Sequence, residues 1–213
     1  MGREFLHVFE EWAEEYDQTV AGFDPEYEEV FRAYDVILTD VANKANGTVI
    51  EFGPGTGNLT IKLIKKGCSV LAIEPSLPMR KIAEGKIKSE NVIFIDGDFF
   101  QYPTNFKIDT IVSTYAFHHL TDLEKEDAVK QYGALLHSGG KIVFADTMFV
   151  DSHALEEMIK EAKGKGFHQL AKDLQTEYYT TIPFLRRIFE ENGFDVVIKQ
   201  YNEFVWIIDA VKL

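Results

Sequence analysis

From Thr48 to Asn58 the chain reads Thr-Val-Ile-Glu-Phe-Gly-Pro-Gly-Thr-Gly-Asn: a β-rich run, an acid within it, then three alternating glycines. Gly53, Gly55 and Gly57 allow a tight turn and close approach of a ligand to the main chain. The spacing is G-x-G-x-G. A dinucleotide fingerprint needs its third glycine where Asn58 stands, and a phosphate-binding P-loop needs Lys and Ser or Thr where Asn58 and Leu59 stand. Glu51 repels a pyrophosphate and attracts an ammonium group. The loop therefore reads as a seat for a ligand with a positive end and no phosphate.

Two further acids extend that seat. Glu74 lies 21 positions after Gly53, at the end of an apolar run, where a carboxylate accepts from ribose hydroxyls. Asp98, in Gly97-Asp98-Phe99, ends another such run, where it is placed to accept from an exocyclic amine while Phe99 lines an adenine slot. Each acid alone reads equally as a helix cap. Together, and in this order, they offer places for an amino acid, a ribose and an adenine, which is S-adenosylmethionine along its length. A nicotinamide-dependent oxidoreductase is the rival that Asn58 disfavours. A non-catalytic protein binding S-adenosylmethionine or S-adenosylhomocysteine on the same fold is the other.

These residues need elements to hold them. Strand-like runs at Thr48–Phe52, Ser69–Ile73, Asn91–Ile95, Asp109–Ser113 and Lys141–Asp146 alternate with helical runs at Leu59–Lys66, Leu77–Ile87 and Leu123–Leu136. Strands apolar along their whole length, separated by helices, predict a parallel sheet covered on both faces. A last helix, Ile182–Glu191, precedes runs at Phe194–Gln200 and Phe204–Val211. Only Tyr201-Asn202-Glu203 separates those two, so they form an antiparallel hairpin. The expected fold is α/β, a doubly wound, mostly parallel sheet. Residues 1–213 form one domain. Apolar residues at helical spacing predict helices from Phe5 to Tyr16 and from Tyr27 to Val41, a cap over residues 1–44. Residues 150–178 read as a helical insertion over the active site. Phe23, Tyr178, Tyr179 and Phe184 are candidate lining for a substrate pocket, with core packing as the alternative.

The formal charge of −13 disfavours a nucleic-acid partner. One cysteine, Cys68, forms no intramolecular disulfide and suits the cytoplasm as a buried thiol. No run is long enough to span a bilayer, and no signal-peptide pattern opens the chain.

At this point the sequence resembles the class I S-adenosylmethionine-dependent methyltransferases over nearly its whole length, most of all the small YrrT-type methyltransferases of Bacillus relatives. Glu51–Gly57, Val70–Glu74, Gly97-Asp98-Phe99 and Asp109–Leu120 look like the family's first four motifs. Leu135–Lys141 looks like the entry to the fifth strand, and Trp12–Asp17 like the opening of the small-molecule branch. The resemblance implies a Rossmann-like seven-stranded sheet with an antiparallel last strand. It implies that the Gly53 loop and Glu51 face the methionine part of the cofactor, Glu74 the ribose and Asp98 the adenine. Tyr16 reaches the methionine carboxylate, and Ser113 joins the cofactor set. The acceptor is a small molecule that the residues do not identify, and the oligomeric state is equally unread.

Methyl transfer from a sulfonium needs alignment more than acid–base chemistry, so no fixed catalytic residue is required. Tyr115, His118 and His119 follow the fourth strand and are the nearest candidates. His118 reads equally as a helix-start residue. No metal is expected: neighbouring histidines on a regular strand point apart, and Asp146 has no obvious acidic companions.

Overall fold

The computed structural model describes residues 16–213. Helix α1 (Tyr16–Gln18) runs into one π-helical turn at Thr19–Phe23. Then follow α2 (Tyr34–Lys44), β1 (Thr48–Phe52), α3 (Asn58–Lys65), β2 (Ser69–Ile73), α4 (Leu77–Lys86), β3 (Val92–Ile95) and β4 (Thr110–Thr114). A 3₁₀ turn at Phe117–His119 leads to α5 (Asp122–Leu135) and β5 (Lys141–Phe149). Helices α6 (Ser152–Lys165) and α7 (His168–Thr176), the two-residue β6 (Thr180–Thr181), α8 (Ile182–Glu191), β7 (Phe194–Gln200) and β8 (Val205–Lys212) complete the chain.

The strands lie in the order β3-β2-β1-β4-β5-β8-β7, with β6 added beside the end of β5. All pairs are parallel except those of β8, which runs against both β5 and β7. Seven strands thus form the main sheet, mostly parallel with an antiparallel last strand, as the alternation of elements predicts.

Period-two alternation divides the core. Val49, Val70, Ala72, Val112, Val143 and Ala145 point to one face, where α2, α3, α6 and α7 bury Ile37, Leu38, Leu63, Ala162 and Leu170. Ile50, Phe52, Leu71, Ile111, Ile142 and Phe144 point to the other, under Ala128, Val129 and Tyr132 of α5 and Leu185, Ile188 and Phe189 of α8. Both faces of β1, β2, β4 and β5 are covered and these strands are buried almost throughout, whereas β3 and β7 at the sheet's two edges are partly exposed. Cys68 is buried on the first face. No helix among the described residues is long and apolar enough to cross a membrane.

Local chemistry sets the helix starts. Ser76 caps α4, accepting from the Met79 N–H at 3.4 Å. Thr121 and Glu124 form a reciprocal capping box on α5, a device worth about 1 kcal/mol.

Two expectations need correction. The predicted helix from Tyr27 to Val41 starts only at Tyr34, because Ala33 takes a left-handed conformation (φ 64°). The Asn202 side chain donates to the carbonyls of Val30 and Arg32, holding that stretch against the β7–β8 turn. Strand β5 runs on past Asp146 to Phe149, since Thr147 pairs with Val205 and Met148 with Thr180. Strand β6 itself carries no pattern long enough to read. The predicted helix from Phe5 lies outside the described residues apart from its last residue, Tyr16.

Candidate functional site

Strand β1 delivers the chain to the glycine loop at the carboxyl edge of the sheet. Gly53, Gly55 and Gly57 all have positive φ (65°, 55° and 88°), a region where a β-carbon is costly. Their surroundings differ. A β-carbon on Gly53 would stand 2.8 Å from Ala116 Cβ, and one on Gly57 would stand 2.7 Å from Ile87 Cδ1. At Gly55 a β-carbon would meet nothing within 4 Å. The first and third glycines serve packing, whereas the middle one faces open space.

The acids gather on this loop. Glu74, at the end of β2, accepts from the N–H groups of Gly55 (2.9 Å) and Ser76 (2.8 Å). Burial raises its pKa to about 7, against the pull of those two N–H groups and of Arg80. Glu51 lies inside β1. One carboxyl oxygen accepts from the Thr60 hydroxyl at 2.6 Å, and the other, Oε1, is buried with no hydrogen-bond partner. Burial raises its pKa to about 8, Thr60 opposes, and the Glu74 charge adds to the rise. Asp98 holds the turn after β3, its Oδ1 accepting from the Phe100 and Gln101 N–H groups, both at 2.9 Å. Gly97 must be glycine there, since a β-carbon would fall 2.2 Å from the Gln101 carbonyl oxygen.

Three predicted residues have other surroundings than expected. The Phe99 ring is buried between Phe52 (5.1 Å) and Phe117 (5.7 Å), inside the second core layer. Its carbonyl accepts from the Tyr132 hydroxyl at 2.9 Å. The Ser113 hydroxyl donates to the Phe52 carbonyl at 3.0 Å, tying β4 to β1. Tyr16 is hydrogen-bonded to Tyr34. Of the suggested pocket aromatics, Phe23 is 78% exposed, and Phe184 packs on the second core layer under Arg187.

Asp17 is a residue that sequence reasoning passed over. It accepts from the Thr56 hydroxyl (2.7 Å) and the Asn58 amide (3.2 Å), and it is ion-paired with Lys86 at the end of α4. It therefore clips the first described helix onto the glycine loop. Its place beside Tyr16 in the opening motif was the available signal.

The end of β4 is strained. Tyr115 is a non-glycine residue at φ 54°. Its ring lies against Phe31 (5.2 Å) and Tyr34 (5.5 Å), and its hydroxyl is buried without a hydrogen-bond partner. Burial, Tyr34 and Asp146 hold that hydroxyl protonated. One turn on, Asp146 of β5 accepts from the His118 N–H (2.9 Å) and contacts its Nδ1 at 2.6 Å. Nε2 of the same ring faces Glu177 at 3.4 Å, and the ring stacks on Tyr179 at 5.1 Å. Burial lowers the His118 pKa, but Asp146 and Glu177 outweigh it and the net shift is upward. His119 goes the other way: burial, then His118 and Lys125, hold its ring neutral. Asp146 thus has companions after all. They come from a neighbouring strand end and from beyond α7, not from nearby sequence.

A family model for a methyltransferase domain matches residues 26–199. The chain belongs to that family. An uncharacterized methyltransferase of Geobacillus sp. is 58% identical over 213 residues, covering all of both chains. One from Bacillus cytotoxicus is 55% identical over 212 residues, again covering all of both. Among solved structures, magnesium protoporphyrin IX methyltransferase from Synechocystis, with bound S-adenosylmethionine, superposes with a TM-score of 0.62 at 16% identity, over 88% of this chain and 84% of that one. Human N-acetylserotonin methyltransferase gives 0.62 at 18% identity, over 88% of this chain and 56% of that one. At such identities the likeness is one of fold. The methyltransferase shares with both a mostly parallel sheet flanked by helices.

Proposed function

We propose that this methyltransferase binds S-adenosylmethionine along the carboxyl edge of β1, β2 and β3 and transfers its methyl group to a small-molecule acceptor by in-line displacement. The hydrogen bond from Gly55 to Glu74 carries the reading. It joins the glycine loop to the proposed ribose acceptor at the only one of the three loop glycines whose β-carbon would project into open space. The site's chemistry fits the cofactor. Glu51 Oε1 is a buried acceptor awaiting a donor, as an ammonium group provides. Glu74 retains lone pairs for ribose hydroxyls, and Asp98 stands one strand further for an adenine amine. The Phe99 ring belongs to the core, so this part of the proposal rests on Asp98 and the turn it holds.

Bound S-adenosylmethionine supplies a methyl group on an already activated sulfonium. The chain's own task is alignment. Holding two reactants in attack geometry supplies about 7–11 kcal/mol, and a base adds about 10²–10⁴-fold. Tyr115 and His118, at the end of β4, are the side chains proposed to face the acceptor. The helices of residues 150–178 and the segment Tyr16–Lys44 are proposed to cover that side. The charge of −13 supports a partner other than nucleic acid, and a cytoplasmic location is part of the proposal. Membership of the YrrT-type branch is part of the proposal and rests on the motif resemblance from Glu51 to Leu120.

The test is calorimetric titration of the full chain with S-adenosylmethionine and with NAD, followed by acceptor screening for S-adenosylhomocysteine release. Binding of the first cofactor alone, with turnover on a small molecule, supports the proposal. Binding of NAD overturns it, and cofactor binding without turnover on any acceptor favours the non-catalytic reading.

A further inference from the structure

The cluster behind Tyr115 has a geometry that acid–base pairing does not account for. His118 and His119 sit in a 3₁₀ turn, not on a strand, so their rings do not point apart. They meet edge to face with centroids 4.2 Å apart. Glu177, entering from beyond α7, brings its carboxylate to the same point. One donor atom from each of the three lies within 4.8 Å of the other two. We propose that His118, His119 and Glu177 form a binding site for a divalent transition cation such as Zn²⁺ or Co²⁺, on the acceptor side of the methyltransferase site.

The His118–Glu177 separation suits a shared cation, on a carboxylate oxygen that also accepts from the Tyr179 hydroxyl. A charge-assisted N–H···O bond closes to about 2.7–2.9 Å, whereas His118 Nε2 and Glu177 Oε2 stand 3.4 Å apart. Two ligands about 2.0–2.1 Å from a tetrahedral zinc are separated by about 3.3–3.4 Å. His118 also carries the support that metal-bound imidazoles show. Its Nδ1 is held by Asp146 at 2.6 Å, which fixes the ring and turns Nε2 toward the cluster. Two imidazoles and one carboxylate suit zinc and its neighbours and leave a coordination position for an acceptor atom. The nearby ammonium of Lys125 is tied to the carbonyls of Leu120 and Tyr178, each at 2.5 Å. A cation in this place lowers the pKa of a coordinated hydroxyl or thiol, which points to an oxygen or sulfur acceptor.

The experiment uses metal-free, untagged full-length protein with no cofactor added, so its failure leaves the S-adenosylmethionine reading untouched. Zn²⁺ is titrated calorimetrically and Co²⁺ by its visible absorption. The expected result is one equivalent bound, with bands of low-coordinate Co²⁺. H118A and E177A should lose those bands, and D146N should weaken binding by about 10–100-fold. Absence of stoichiometric binding, or equal affinity in wild type and variants, overturns the proposal. Far-UV circular dichroism checks the fold of each variant. Should a variant not fold, electron paramagnetic resonance of the Cu²⁺-loaded wild type decides: coupling to two imidazole nitrogens supports the site, and any other count overturns it.

Discussion

The main-chain N–H of Gly55 donates to the Glu74 carboxylate at 2.9 Å, so the loop after β1 and the acid after β2 form one rigid unit. The same carboxylate accepts from Ser76 at 2.8 Å, which anchors the start of α4 to it. Replacing Glu74 therefore has a structural and a functional consequence that can be separated. Glu74→Gln keeps one carbonyl acceptor, whereas Glu74→Ala keeps none and strands two N–H groups at about 1–3 kcal/mol each. The expected order of S-adenosylmethionine affinity is wild type, then Glu74→Gln, then Glu74→Ala, with a loss of about 10–100-fold or more in the last. Calorimetry with thermal melts on the same samples checks it. Equal affinity across the three would remove Glu74 from the site.

Much of this arrangement was legible in the sequence because it is local. Strands β1, β2 and β7 begin and end where their sequence runs do: β1 and β2 are buried almost throughout, as strands covered on both faces are, and β7 alternates buried and exposed residues at the sheet edge. The G-x-G-x-G loop and Glu74 follow from spacing along one βαβ unit. What escaped was non-local. His118 meets Asp146 only because β4 and β5 are neighbours in the sheet, and Glu177 arrives from beyond two helices. The break at Ala33 depends on Asn202, which lies 172 positions from Val30. Phe99 shows a different limit, because an aromatic after a strand reads the same whether it fills a core layer or lines a slot.

Glu51 makes stability depend on pH. Its carboxyl titrates near 8 in the fold, raised by burial above the ordinary 4.5. A carboxyl with a raised pKa stabilises fully below its unfolded value and loses that contribution as pH rises through the folded one. Stability should therefore fall between about pH 4.5 and 8, by an amount on the order of a few kcal/mol. Because Glu74 titrates near 7 beside it, the pair shares the transition. Glu51→Gln should flatten the upper part of the curve and be the more stable form at pH 8. Denaturant midpoints at pH 5, 7 and 8 test this, and parallel curves for the two proteins would contradict it.

The three loop glycines should respond differently to alanine. Gly55→Ala meets no atom and costs only the left-handed strain of about 1–2 kcal/mol. It should fold, melt a few degrees lower and bind S-adenosylmethionine poorly, because its methyl group enters the open space. Gly53→Ala adds a clash with Ala116 at 2.8 Å and should destabilise more. Should Gly55→Ala bind as wild type does, the ligand does not pass that glycine.

Asn202 is the stability hinge outside the site. Buried at the β7–β8 turn, it donates to Val30 and Arg32 and accepts from Phe204 and Val205. Asn202→Ala leaves four main-chain groups without their partner, at about 1 kcal/mol each or more. A loss of about 3–5 kcal/mol in urea unfolding is expected. A loss under about 1 kcal/mol would mean that water replaces the side chain at little cost.

Tyr115 offers the opposite case. Its hydroxyl is buried without a hydrogen-bond partner, on a residue already held at φ 54°. A polar group left so costs about 1–3 kcal/mol, and a fold tolerates that most readily where a ligand restores the bond. Tyr115→Phe removes the cost while keeping the ring against Phe31 and Tyr34. The variant should be as stable as wild type or more so, yet weaker toward cofactor or acceptor by about tenfold, the worth of one hydrogen bond. Melting temperature and binding should thus move in opposite directions. Were both to rise or both to fall, the hydroxyl would be a feature of packing, and the strained end of β4 would need another explanation.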